Sequence, residues 1–480
     1  MIIYIISALL LLVLAFIAVV LIRTLTFNPK EMPKVSDAEE HFDTERATDN
    51  LARLVRCKTI SRYDRAEEDD GEFKKLVGML PELYPNVYAK CELTEFPDRG
   101  LLYKWEGKSH DSPAVFMAHY DVVPVNEDDW QKPPFDGILE DGVLWGRGTL
   151  DTKVTFAGAL FAADHLIAEG FIPENDIYLA FSGCEEVNGP GALNIVKYFE
   201  EKGIEPQFVL DEGGAVVEGA FPGLKNACAY IGIAEKGMID AEYRVKSNGG
   251  HASAPKPHTP VGILSRACCK VEKKPFKFHV TKPAAEMFDT LGRHSSFLYK
   301  MIFANMWCFG WVIDLLGRLQ GGDINALTRT TVAFTQMSGS SASNVIPPEA
   351  TMVSNLRLNP ADTMESALEY LKKCVDDENV EVSILRGYNP SRISTTDCDG
   401  YRKVVNAVAS TWRGCIPSPY LMMQCSDSRH WGLISDRVYR FSAMDLTKEE
   451  RASIHGNDER IRVECLAKAC EFFIRMMRSC

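Results

Sequence analysis

A chain of 480 residues is long enough for more than one domain, and its 46% apolar and 25% charged content is ordinary for a globular protein. The formal charge of −13 and the absence of a Lys/Arg stripe argue against a nucleic-acid partner, since phosphate backbones demand clustered cations.

The first element is apolar. Ile2 to Ile22 carries no charged residue, and 21 residues of helix cover about 31 Å at 1.5 Å each, the thickness of a bilayer's hydrocarbon core. A transmembrane anchor over residues 1–23 is expected, in preference to a cleaved signal peptide, because no Lys or Arg precedes the segment. Arg23, Lys30 and Lys34 follow it, so the positive-inside tendency leans toward a single-pass protein whose body faces the cytoplasm. Fourteen cysteines without a regular framework, and no Asn-x-Ser/Thr sequon, agree with a reducing compartment. Residues 24–43, polar and carrying Pro29 and Pro33, read as a linker off the membrane.

Alternating strands and helices come next. Ala114 to Asp121 (AVFMAHYD) is an apolar run ending in a histidine, with a carboxylate two positions on. Trp145 to Lys153 (WGRGTLDTK) sets Asp151 at the threshold of a helix in which Phe156, Ala159, Leu160, Ala163 and Ile167 recur at helical spacing until Gly170. Ile177 to Phe181 runs into Ser182, Gly183, Cys184 and the adjacent acids Glu185 and Glu186, and Phe208 to Leu210 runs into Asp211. Short continuous apolar runs read as strands buried on both faces, and ligands in such sheets sit beyond the carboxyl ends.

A second alternating pattern from Met238 to Arg386 has strand candidates at Ile239 to Val245 and Ala350 to Leu358 and reads as an inserted domain. Within it Phe297 to Leu316 is unusually aromatic, but Lys300, Asn305 and Asp314 interrupt it, which disfavours a second span. A buried helix or subunit contact is one reading; a lipophilic substrate wall or membrane-resting surface is the other. The chain then returns to an apolar helical finish at Arg460 to Met477, preceded by His455 in ASIHGNDE.

His119, Asp151, Glu186, Asp211 and His455 offer the nitrogen and oxygen ligands that a pair of divalent metals needs, with Glu185 left to move a proton and Asp121 to hold the far nitrogen of His119. Singly, each has an ordinary alternative: a His-x-Asp at a strand end is commonly a local hydrogen bond, and paired glutamates are commonly surface charge. The joint pattern carries the weight.

In order, HYDVVPV, WQKPPFDG, GRGTLDTK, CEEVNGPGA, VLDEGG, AEKG, GGHASAP, NVIPPEAT and IHGNDERI resemble the metallopeptidase family that includes aminoacylase, glutamate carboxypeptidase and acetylornithine deacetylase. Among its branches, that of vacuolar carboxypeptidase S and the N-fatty-acyl-amino-acid synthase/hydrolases looks most similar. The resemblance implies an α/β/α catalytic domain (44–237 and 387–480) interrupted by a smaller α+β lid (238–386), of a kind often used for homodimerisation. It implies two zinc ions per chain, one held by His119 and Asp211, the other by Glu186 and His455, with Asp151 between them. Glu185 would be the general base, Asp121 would stand behind His119, and a cis peptide would follow Asp151. His251 would steady the oxyanion, while Asn344 and Arg357 would touch substrate, a guanidinium being suited to both oxygens of a carboxylate.

The sequence departs from the family at Cys184, before the glutamate pair, and at Cys425 and Ser426 in MQCSDSRHW. The expected activity is cleavage of an amide bond beside a free carboxylate, in a small peptide or an N-acyl amino acid. Its rival is a metal-free binding or scaffold protein that retains the fold.

Overall fold

The computed structural model describes residues 1–30, 33–219 and 221–480. Glu31 and Met32 of the expected linker, and Ala220 of the first catalytic segment, lie outside the described residues.

An eight-stranded mixed sheet forms the centre, in the order Glu92–Phe96, Gly100–Trp105, Asn175–Ser182, Ser109–His119, Phe208–Val217, Val438–Asp445, Cys228–Glu235 and Ile416–Met422. The three strands from Asn175–Ser182 to Phe208–Val217 run parallel, with His119 beside Ser182 and Phe116 beside Leu210. Their continuous apolar runs are explained by helices on both faces. The helix Lys153–Ala168 is buried along nearly its whole length, packed on the sheet and against the closing helix Val463–Arg478, which itself meets the strand Val438–Asp445. A Cβ at Gly158 would sit 3.2 Å from Phe473, so glycine permits this close approach. Each fully buried Leu, Val or Phe in this core contributes about 1.5–3 kcal/mol.

The strand Phe208–Val217 is longer than the apolar run at its start: Asp211 and Glu212 lie inside it, not beyond its end. Pairing with Val438–Asp445 carries the ladder past the acids.

A second, antiparallel sheet has the order Thr331–Ser338, Glu349–Leu358, Gly237–Lys246 and Glu381–Tyr388. Burial alternates along Gly237–Lys246 and Glu349–Leu358, so one face is dry and the other wet. Helices Pro260–Glu272 and Met364–Val375 cover the dry face around a core of its own. Residues 282–328 pack elsewhere: Ala284, Met287, Phe288, Leu291 and Leu327 join the large core, and the helix Lys282–His294 lies on the edge strand Ile416–Met422.

The aromatic stretch is not one helix. It breaks at Asn305 into Phe297–Ala304 and Met306–Gln320, bent by 111°. The N-terminal helix Ile2–Thr26 is long and apolar enough to cross a membrane, a property it shares with signal sequences, and only Val20 and Thr24 in it are buried.

Candidate metal centre

His119 is 2% exposed at the end of its strand, and three acids from separate elements reach it or its neighbour. Its Nε2 stands 3.1 Å from Asp151 Oδ1 and 3.3 Å from Glu212 Oε1. The other oxygen of Asp151 lies 3.0 Å from His455 Nε2, which is 3.1 Å from Glu186 Oε2. Asp151 therefore spans two histidine–glutamate pairs, one oxygen toward each. Glu185 has a carboxylate oxygen within 4.8 Å of the facing atoms of His119 and Glu212.

The structure corrects one residue. Asp211, read from the sequence as a ligand beside His119, turns the other way: its Oδ2 accepts from the Ser428 amide at 2.9 Å, with Asp427 and Arg440 close by. Successive side chains on a strand face opposite sides, so only one of Asp211 and Glu212 can meet His119, and it is Glu212.

Asp121 lies behind His119 and does more than hold a tautomer. The far nitrogen, Nδ1, is 3.0 Å from the Asp121 carbonyl and 3.4 Å from its Oδ1. The Asp121 carboxylate also accepts from Ser61 Oγ at 2.5 Å and from the amides of Glu185 and Glu186, both at 3.1 Å. One buried acid thus fixes both the histidine and the turn that carries the glutamate pair.

Glu459 does the same for Asp151. Wholly buried, it accepts from the amides of Leu150 (2.7 Å), Asp151 (3.1 Å) and Gly148 (3.0 Å) and pairs with Arg147 at 2.6 Å. Sequence reading passed over it although it stands in the same short block as His455. The peptide between Asp151 and Thr152 is cis. Glu459→Ala would leave Arg147 buried without its partner, at an expected cost on the order of 3–5 kcal/mol, read as a Tm lowered by several degrees in thermal unfolding. An unchanged Tm would dismiss Glu459 as the strut of this loop.

Burial sets the electrostatics. It pushes Glu185 well above the usual carboxylate range, with Asp427 and Glu186 adding to the rise against the pull of His119. Glu186 and Glu212 are each pushed up to about 7 by burial, reinforced by the charge of Asp151. His455 is raised to about 10 by its contacts with Asp151 and Glu186. Burial opposes charge on His119, but Glu212, Asp121 and Asp151 outweigh it and raise its pKa. Four crowded acids withdrawn from water are costly unless cations join them. Glu186 Oε1 is buried without a hydrogen-bond partner, which leaves a lone pair for such a cation. Histidine nitrogens and carboxylate oxygens are the donors zinc takes, so the residues fit the group the sequence implied.

Of the expected substrate contacts, Arg357 has its Nη1 3.3 Å from the Sγ of Cys425, and Cys425 borders the cavity beside the acids. Exposed His251 and Asn344 sit apart on the second unit, where the Ala252 amide donates to the Asn344 carbonyl at 3.0 Å. Cys184 is buried behind the glutamate turn, its Sγ 3.3 Å from the Asp98 carbonyl.

Glu185, Glu186, Asp151, Glu212 and His455 border a cavity of about 580 Å³ that continues between apolar side chains, among them Phe221, Met287, Phe288, Ile302, Phe303 and Ile313.

Comparison with known proteins agrees with this geometry. The chain is 30% identical to the probable carboxypeptidase S-like 2 of Dictyostelium discoideum, over 98% of this chain and 92% of that one. It is 32% identical to an N-fatty-acyl-amino acid synthase/hydrolase of Xenopus tropicalis, over 96% and 92%. An M20 family metallo-carboxypeptidase from Sulfolobus solfataricus shares the fold at a TM-score of 0.67 and 17% identity, covering 90% of this chain and 98% of its own. The model of peptidase family M20/M25/M40 matches residues 115–479, so the acids and histidines gathered here sit on the scaffold of a metal-dependent hydrolase, and the chain belongs to that family.

Proposed function

We propose that this chain hydrolyses the amide bond of N-acyl amino acids whose acyl group is long and apolar. The observation that carries this reading is the cavity that runs from Glu185 and Asp151 into the apolar space between Phe221, Phe288 and Phe303. His119 and Glu212 would hold one zinc ion, Glu186 and His455 the other, with Asp151 shared. Bound there, the ions supply charge that polarises the carbonyl and acidifies water.

Glu185, left unligated beside Glu186, takes a proton from the attacking water and returns it to the leaving nitrogen. Arg357, on the strand Glu349–Leu358 and in contact with Cys425 of the cavity wall, would receive the substrate carboxylate through two parallel hydrogen bonds. His251, on a unit with a core of its own, would need that unit to close over the rim to reach the oxyanion; of residues 238–386, the second sheet and its two helices would then act as the lid, and 282–328, packed on the large core, would stay with the catalytic body. The N-terminal helix would be retained as an anchor, with Arg23 on the cytoplasmic side.

The test is a series of N-acyl amino acids of increasing chain length. Each methylene buried in the apolar arm contributes about 0.8 kcal/mol, so kcat/KM is expected to rise roughly fourfold per CH2 until the arm is full. A flat or falling profile, with short peptides preferred, would return the reading to a carboxypeptidase.

A further inference from the structure

The bend at Asn305 is clamped to the N-terminal helix. The buried Asn305 amide donates to the carbonyls of Val20 (3.2 Å) and Met301 (3.0 Å) and to Thr24 Oγ1 (3.2 Å). Arg23 donates twice to the Ala304 carbonyl, at 3.2 and 3.1 Å, and the Phe16 and Trp307 rings meet edge-on at 5.8 Å. Phe16 lies seven residues before Arg23 on that helix, about 10 Å along its axis.

Beyond the bend, the outer face of Met306–Gln320 carries Trp307, Trp311, Leu315 and Leu319, spaced four apart and 59%, 65%, 46% and 74% exposed. Phe297 and Leu298, on the other limb, are exposed as well. Asp314 is turned from it toward Arg318 and Arg329. The inner face gives Val312, Ile313 and Leu316 to the cavity, and Leu316 is the chain neighbour of Leu315 in the outer stripe.

We propose that this bent pair of helices lies in the lipid leaflet nearest the catalytic body, beside the last turns of the N-terminal helix, and admits acyl chains from the bilayer into the cavity past Leu316. The occupant of the outer face is the acyl region of a phospholipid bilayer. A stripe of two tryptophans and two leucines is poorly suited to water and well suited to the boundary of headgroups and acyl chains. It is continuous with a helix of membrane-spanning length and apolarity, joined to it by buried hydrogen bonds. The admission of substrate rests on the acyl-amino-acid reading; the lipid contact does not.

The full-length chain reconstituted in phosphatidylcholine vesicles tests both parts. The chain has seven tryptophans, none of them in the N-terminal helix, so quenching by lipids brominated at mid-chain reports on the catalytic body alone. Brominated vesicles are expected to quench the wild-type emission and to lose most of that effect on the Trp307→Phe/Trp311→Phe variant; equal quenching of the two proteins would overturn the lipid contact. For the second part, Leu315→Ser/Leu319→Ser is expected to lower kcat/KM about fivefold or more on a long-chain acyl amino acid dissolved in the vesicles, and to leave a short, water-soluble one unchanged. Equal loss on both substrates would overturn admission from the bilayer. Wild-type protein that turns over neither would sink the acyl-amino-acid reading, with quenching still deciding the lipid contact.

Discussion

Glu185→Gln is expected to bind as much zinc as the wild type and to lose turnover by about a hundred- to ten-thousandfold, the range that a positioned general base supplies. The substitution keeps shape and hydrogen-bonding reach but removes the group that moves a proton. The turn that carries it is held from behind, by Asp121 accepting the amides of Glu185 and Glu186, so the backbone has no reason to shift. Zinc content by elemental analysis and kcat on the best acyl amino acid read the two halves of the prediction separately. Retained activity would take Glu185 out of the proposed reaction, and lost metal would make it a ligand.

Glu212→Ala and Asp211→Asn form the second pair. Losing Glu212 is expected to weaken zinc at the His119 position by more than about 100-fold, beyond the 10–100-fold typical of groups that merely orient a ligand. Asp211→Asn is expected to keep full occupancy, because that side chain faces Ser428 and Asp427. Zinc titration under a competing chelator distinguishes them. The opposite ranking would mean that the strand turns its other face to the metals in the working enzyme.

That strand shows where sequence reading stops. The apolar run Phe208 to Leu210 identifies a buried strand, and the first acid after it looks like the strand's end. The strand continues to Val217 because Val438–Asp445, more than two hundred residues away, pairs with it there. Which of two adjacent acids faces the cavity is settled by that pairing. Glu459 was missed for a related reason: nothing local distinguishes a buried acid that accepts three amides from one on the surface. Asn305 is similar, since a polar residue in an apolar run reads as an interruption until the N-terminal helix is seen against it.

Local patterns in this chain were sufficient for the apolar N-terminal helix, the buried parallel strands, the helix after Asp151 and the ordered motifs of the family, because periodicity and turn chemistry act over a few residues. Tertiary structure alone decided that Glu212 rather than Asp211 meets His119, that Glu459 braces Asp151, and that the aromatic segment bends to wall a cavity. Those outcomes depend on contacts between residues far apart in the chain, and folding settles them by which polar groups can be satisfied once water has been excluded.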